Sequence, residues 1–292
     1  MLAIVNPTAG GGRCGRGADA LLARLPAEVG VTKAETRGPG HATELAREAY
    51  RAGTRSFLAV GGDGTAFEVV NGLMPPAERV ALGFLPLGTG NSFLRDFSDR
   101  GVDHAVECIA KGARRPCDIL RLRHRDGVTY SINYVSLGFP ADVGATTNRW
   151  FKPFGRVGYV LGVLSRLVRL RHGTFPVRLD DGEGTEREPC LFLTFSNSKY
   201  TGGTMMIAPH ADTADGLVEH VRMGRIGRLS LLRNFGRLFD GSYVDLPQAT
   251  RRSVTRVAFD LDGPLDVMID GEVVRLHCEA LDILPGALDV IA

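Results

Sequence analysis

Residues 60–73 read VGGDGTAFEVVNGL, and the first part of the fold follows from how this stretch divides. SFLAVGG (56–62) is a short apolar run of the kind that forms a buried strand, and AFEVVNGLM (66–74) reads as a helix. The turn between them is rich in glycine. Such a turn lets backbone N–H groups close on an anion while the following helix aims its positive end at it, which is how proteins hold phosphates. A carboxylate at its centre, Asp63, is out of place beside phosphate unless a cation or a proton intervenes.

On either side the texture repeats. LAIVN (2–6) and VALGFLPLG (80–88) read as strands, and ADALLARL (18–25) and HATELAREAYRAG (41–53) as helices. Strand and helix in alternation to about residue 118 predict βαβ units and a parallel sheet. Ligands of such sheets sit beyond the carboxyl ends of the strands. Each of the three strands runs into a loop bearing glycine or asparagine: NPTAGGG, GGDGT and PLGTGN. One such loop is explained equally well as a tight turn; three at successive strand ends favour a phosphate ligand.

After residue 118 the pattern becomes strand-like, with Asp-Gly and glycine-rich hairpin turns, as in VAFDLDGPLDVMIDGEVVRLHCEALDIL (257–284). The expected organisation is an α/β domain over 1–118 and a mostly antiparallel, β-rich domain over 119–292, with helices near 147–171 and 227–240. The terminal strand is free to return to the first domain.

Bulk properties narrow the function. The 292 residues suffice for two cores, and a net charge of +2 is too small to make the chain a nucleic-acid binder by charge alone. Five cysteines without C-x-x-C spacing suggest neither a disulfide framework nor a zinc site, and fit a reducing cytoplasm. No secretory leader or membrane-spanning run is evident, so the chain is expected to be cytoplasmic, at most touching a membrane surface. Arg149, Lys152, Arg156, Arg166, Arg169, Arg171 and Arg178 lie between Asp142 and Asp180 with no acidic residue among them, interleaved with Trp150, Phe151 and Phe154. A basic amphipathic segment of this kind suits an anionic membrane surface, and suits equally a solvated helix face over the second domain's sheet.

Taken in order, NPTAGGG, GGDGT with Glu68, Val69, Asn71, Gly72 and Leu73 after it, and PLGTGN resemble the catalytic domain of the diacylglycerol kinases, sphingosine kinases and their bacterial lipid-kinase relatives. NYVSLGFPADV (133–143), SNSKYTGGTMMIAPHADTADGLVE (196–219), IDGEVV (269–274) and PGALDVI (285–291) extend the resemblance over essentially the whole chain. GGDGT alone would be shared with the NAD kinases. The resemblance implies an NAD kinase/diacylglycerol kinase-like fold and an ATP-dependent, Mg²⁺-assisted transfer of phosphate to a lipid hydroxyl, of diacylglycerol or a sphingoid-type lipid. A membrane lipid and an anionic membrane surface are the implied partners; a homodimer is compatible with it.

It also implies residue roles. ATP lies between the domains, with Asn6 and Thr36 beside it, Gly61, Gly62, Asp63, Gly64, Thr65 and Glu68 around the phosphates, and Thr89 and Asn91 completing the cradle. Asp63 works through Mg²⁺ or on the acceptor hydroxyl. In the bacterial relatives the general base is the glutamate of a late D-G-E, here Asp270-Gly271-Glu272, which places the base at Glu272 first and Asp63 second. A second, structural cation falls on Asp212, Asp215 and the carbonyl of Leu217, and Asp118 matches an aspartate near the acceptor headgroup. One departure stands out: after the GT-x-N asparagine the bacterial enzymes carry aspartate, where this chain has Ser92, its nearest carboxylate being Asp96. The rivals are an NAD kinase-like enzyme and a nucleotide-binding regulator in which Ser92 marks an eroded site.

Overall fold

β1 (Leu2–Val5), β2 (Thr32–Glu35), β3 (Ser56–Gly61) and β4 (Ala81–Pro86) pair in parallel in the order β2-β1-β3-β4. The structure, a computed structural model, describes residues 1–147, 162, 165–180, 182 and 184–292. Phe57 to Val60 are buried on both faces, as continuous apolar strands of a helix-covered sheet must be. Helices α1 (Ala9–Leu22), α2 (His41–Arg51), α3 (Asp63–Leu73) and α4 (Val102–Lys111) supply the cover. α2 and α3 close one face over Ile4, Phe57 and Leu82; α1 and α4 close the other over Val5, Leu58 and Leu85.

Three differences from expectation have physical causes. β2 reads polar because it is an edge strand with exposed side chains, and so carries little of the apolar signal. α4 is amphipathic, burying Ala105, Val106, Cys108 and Ile109. The first helix, expected over 18–25, is assigned from Ala9 to Leu22, with Gly10, Gly11 and Gly12 at positive φ, so regular helix begins only at Arg13.

The rest of the chain forms β5 (Arg115–His124), β6 (Gly127–Ser131), β7 (Tyr134–Gly138), α5 (Phe139–Thr146), β8 (Val177–Leu179), β9 (Phe192–Ser196), β10 (Tyr200–Thr201), β11 (Met205–Met206) and β12 (Val218–Met223). It continues through α6 (Arg228–Asn234), β13 (Ala249–Val254), β14 (Arg256–Phe259), β15 (Leu265–Ile269), β16 (Glu272–Leu276) and β17 (Cys278–Ile291). β13-β12-β9-β7-β15-β16 make an antiparallel sheet. It packs on a second layer through Leu120, Val135, Leu193, Phe195, Val257 and Leu281. The architecture is thus an α/β domain with a parallel sheet and an antiparallel β sandwich.

β17 joins the two. It pairs antiparallel with β5 and β14, breaks register between Leu284 and Leu288, and then runs parallel to β4 through Asp289–Ile291. The expected helix near 147–171 falls largely outside the described residues, as do Arg149, Lys152, Arg156, Trp150, Phe151 and Phe154 of the basic stretch. Within it, Arg166 is described and is turned inward, donating to Asp142 O at 3.2 Å and Thr146 Oγ1 at 2.6 Å. Near 227–240 α6 is followed by a single 3-10 turn, Phe235–Leu238. Among the described residues no helix is long and apolar enough to cross a membrane.

Candidate active site

Parallel pairing brings the loops after β1, β3 and β4 to one end of the sheet, where they pack backbone on backbone. A Cβ on Gly88 would stand 2.3 Å from Gly62 Cα, and one on Gly10 would stand 2.5 Å from the Leu87 carbonyl oxygen. Only glycine permits either approach. Asn6 ties two of the loops together, its N–H donating to Val60 O at 3.0 Å and its Nδ2 to Thr65 Oγ1 at 3.2 Å. Buried Thr36, directly after β2, donates its N–H to Val5 O at 2.8 Å. Asn91 has φ 52° and closes its own turn, accepting from Gly88 N–H and donating back to Gly88 O. Thr89 stands exposed on this rim. Gly61 and Gly62 lead into the first turn of α3, where Asp63, Gly64 and Thr65 follow.

Asp63 is half-buried. Its Oδ1 accepts the N–H of Ser92 at 2.8 Å. Burial pushes its carboxyl up to about 6; the Ser92 and Asn91 N–H groups pull it down, and the charge of Asp270 adds to the rise. Glu272 opens β16 and reaches the same turn, its Oε1 lying 2.8 Å from where a Cβ on Gly64 would be. Among the described residues the exposed Glu272 carboxylate has no hydrogen-bond or ion-pair partner.

Asp270 is different. It is fully buried, and its carboxylate accepts the Ser131 hydroxyl at 2.5 Å and the N–H groups of Ile132, Asn133 and Tyr134 at 3.0 Å each. Burial raises its pKa, against those four donors. With its acceptor capacity taken up, Asp270 knits the 131–134 connection to the β15–β16 turn and so fixes where Glu272 begins.

A cavity of about 740 Å³ opens beside these groups. Its polar end holds Asp63, Thr89, Ser92, Arg95 and Asp270; its body is lined by Phe139, Leu167, Leu231, Leu232, Phe235, Phe239 and Met268. The TGGT turn of the β10–β11 hairpin (Thr201–Thr204) forms another wall, held by the N–H of Gly203 donating to Ser92 Oγ at 2.9 Å. Arg95, the TGGT turn and the α6 leucines were not picked out from the sequence. Arg95 follows Ser92 by three residues, and the spacing of Leu231, Leu232 and Phe235 was the available helical signal.

Other expected site residues are engaged elsewhere. Glu68 accepts Gly40 N–H at 2.9 Å and Ala42 N–H at 3.0 Å, so its carboxylate caps the start of α2. Asp118 is 1% exposed and does not line the cavity; it accepts Gly216 N–H and Gly286 N–H, each at 2.7 Å. Expected near the acceptor headgroup, it instead clasps the 212–217 loop to the bend in β17. Asp212 and Asp215 each close a local turn, accepting Ala214 N–H at 3.0 Å and Leu217 N–H at 2.9 Å. Asp96, burial-shifted to about 6, accepts Lys199 N–H and so does not replace the carboxylate that Ser92 lacks.

A diacylglycerol kinase catalytic domain model matches residues 1–122, and the YegS C-terminal NAD kinase beta sandwich-like domain model matches 133–292. A diacylglycerol kinase of Mycobacterium tuberculosis is 30% identical over 296 residues, covering 100% of this chain and 94% of that protein. The chain belongs to the diacylglycerol kinase family. A protein of Chromohalobacter salexigens named "Probable lipid kinase YegS-like" is 31% identical over 266 residues, 87% of this chain and 81% of its own length. A diacylglycerol kinase structure from Bacillus anthracis str. Sterne, 20% identical, superposes with a TM-score of 0.72 over 99% of this chain and 95% of that one, which supports the fold. The protein is thus a kinase of a lipid-kinase family.

Kinases of this kind use a divalent cation, and the oxygen donors present suit one. Among the described residues no three His, Cys, Asp or Glu side chains converge on one point. A cation at Asp63 would therefore complete its shell from phosphate and water oxygens, as Mg²⁺ commonly does. At 212–217, Asp212 and Asp215 each keep one carboxylate oxygen outside its turn bond. Burial raises the Asp215 pKa, and the charges of Asp212 and Asp118 add to the rise, a balance a cation would reverse.

Proposed function

We propose that the protein transfers the γ-phosphate of ATP to the hydroxyl of a membrane lipid, diacylglycerol or a sphingoid-type lipid. The observation that carries this reading is the shape of the cavity. An apolar body runs to a polar end at Asp63, Ser92 and Arg95, where three strand-end loops meet. At about 740 Å³ the cavity has the size of a ligand pocket, with room for an acyl chain beside a polar head. A dinucleotide acceptor would find few polar partners along Phe139, Leu167, Leu231 and Phe235.

Phosphoryl transfer asks a protein for positioning, charge neutralisation and one acceptor for the hydroxyl proton. Asn6, Thr36, Gly61, Gly62, Gly64, Thr65, Thr89 and Asn91 are proposed to shape the nucleotide cradle, with Glu68 acting through α2 rather than on phosphate. Mg²⁺, bound at Asp63, would supply charge neutralisation for the phosphates. Asp63 suits that place because Ser92 anchors its carboxylate. Glu272 is proposed as the base: its unpartnered carboxylate can take the hydroxyl proton and release it to water, while Asp270 positions it. A second cation is proposed at Asp212, Asp215 and the carbonyl of Leu217, tying that loop to the sandwich. Arg95 is placed to face developing negative charge.

The test is γ-³²P transfer from ATP to diacylglycerol, monoacylglycerol, sphingosine, ceramide and NAD, each dispersed in detergent where insoluble. Label in a lipid is expected. Label in NAD alone would assign the NAD kinase-like activity, and ATP binding without any product would make the chain a regulator.

A further inference from the structure

We propose that the surface from Arg225 to Phe239, at the mouth of the cavity, is the face that seats on an anionic lipid bilayer. Among the described residues few large hydrophobic side chains are exposed, and four of them gather here: Val168 (70%), Leu229 (70%), Leu232 (56%) and Phe239 (48%). Leu232 and Phe239 line the cavity, Leu229 lies one turn earlier on α6, and Val168 follows the lining residue Leu167. Leu170 packs in one cluster with Leu231 and Leu238, which holds the two segments side by side. A cluster of exposed apolar tips at a cavity entrance marks a surface that something covers.

Charge identifies the occupant. Arg225, Arg228 and Arg233 are exposed, and among the described residues none of their side chains makes an ion pair or hydrogen bond. Several arginines elsewhere find carboxylates, as Arg55 does Glu78, Arg79 does Asp289 and Arg121 does Asp282, whereas these three have none bonded to them. Between Glu219 and Asp245 the one acidic residue is Asp240, and its carboxylate accepts the Ser242 N–H at 2.9 Å. Apolar side chains among unneutralised arginines match an anionic membrane, whose headgroups meet the guanidinium groups while the apolar tips enter the acyl boundary. Seated this way, the cavity opens into the bilayer and a lipid enters without crossing water. That purpose rests on the lipid-kinase reading; the docking itself does not.

The experiment is sedimentation with vesicles of phosphatidylcholine, and of equal parts phosphatidylcholine and phosphatidylglycerol, without ATP. The wild type is expected to bind the anionic vesicles and to release as salt rises. Combined Arg225→Glu, Arg228→Glu and Arg233→Glu is expected to weaken binding by about 100-fold or more. Leu229→Asp should weaken it too, while Arg47→Glu with Arg51→Glu, on exposed α2 positions, leaves it little changed. All of these variants should keep activity on detergent-dispersed lipid, so loss of that activity in the wild type would sink the lipid-kinase reading and leave the docking result standing. The proposal is overturned if the triple variant binds like the wild type or if the α2 variant loses as much. It is also overturned if lipid-free sedimentation shows a dimer that Leu229→Asp dissociates, which would make a second copy the occupant.

Discussion

Ser92 holds Asp63 with two groups at once: its N–H donates to Asp63 Oδ1 at 2.8 Å and its hydroxyl reaches Oδ2 at 3.4 Å. The same hydroxyl oxygen accepts Gly203 N–H at 2.9 Å. A serine where the resemblance implies an aspartate therefore keeps the loop organised while leaving one negative charge fewer beside the proposed phosphate cradle. One side chain thus links the turn at Asp63 to the hairpin turn at Gly203.

Asp63→Asn should trade activity for stability. Because burial raises the Asp63 pKa from 3.8 to about 6, the folded protein binds a proton in that interval that the unfolded chain does not. Its stabilising contribution is present below 3.8 and lost as pH rises through about 6. The amide variant should thus be more stable near pH 7.5, by about 1–2 kcal/mol, with little gain near pH 4. Turnover should fall by about 100-fold or more at saturating Mg²⁺. Thermal melts at the two pH values beside initial rates decide it; unchanged turnover would leave Asp63 a turn residue.

Glu272→Gln should lower kcat by about 10²- to 10⁴-fold while ATP binding holds. Calorimetric titration with ATP and steady-state rates on the same preparation separate the two effects. Lost nucleotide affinity with turnover preserved at saturation would move the base to Asp63.

For Glu68→Ala the expected loss is structural. Two N–H groups at the start of α2 lose their acceptor, which should cost about 1–2 kcal/mol of stability. Denaturant unfolding tests this. A variant with normal stability and a KM for ATP raised tenfold or more would instead make Glu68 a nucleotide contact.

Asp118→Ala should destabilise by about 2–4 kcal/mol, since two backbone donors beneath the 212–217 loop would be left without their partner. Asp118→Asn, which can still accept one of them, should recover part of the loss. If both variants fold normally and only the KM for lipid rises, Asp118 touches the headgroup after all.

The parallel strands and the three strand-end loops were readable because apolar runs buried on both faces leave continuous hydrophobic stretches, as in Ser56–Gly61. β2 escaped because its exposed edge position demands no apolar side chains. In the candidate site, glycine and aspartate types pointed to phosphate chemistry, yet which carboxylates were free did not follow from spacing. Glu68, Asp118 and Asp270 are each taken up by backbone donors from other segments, and those partners are distant in sequence. The cavity wall was harder still, since Leu231 or Phe235 differs from a core residue only in what stands opposite it.

The course of β17 has a consequence for how the molecule is made. Its last residues supply a strand to the sheet of β1, β3 and β4, so the first half of the chain to leave the ribosome must wait for the far end before its sheet is complete. Until then the edge of β4 lies open to other chains, and pairing so remote in sequence forms slowly. Cutting after residue 118 to isolate a nucleotide-binding fragment would keep that edge open permanently, and a fragment meant to be useful needs β17 grafted back beside β4.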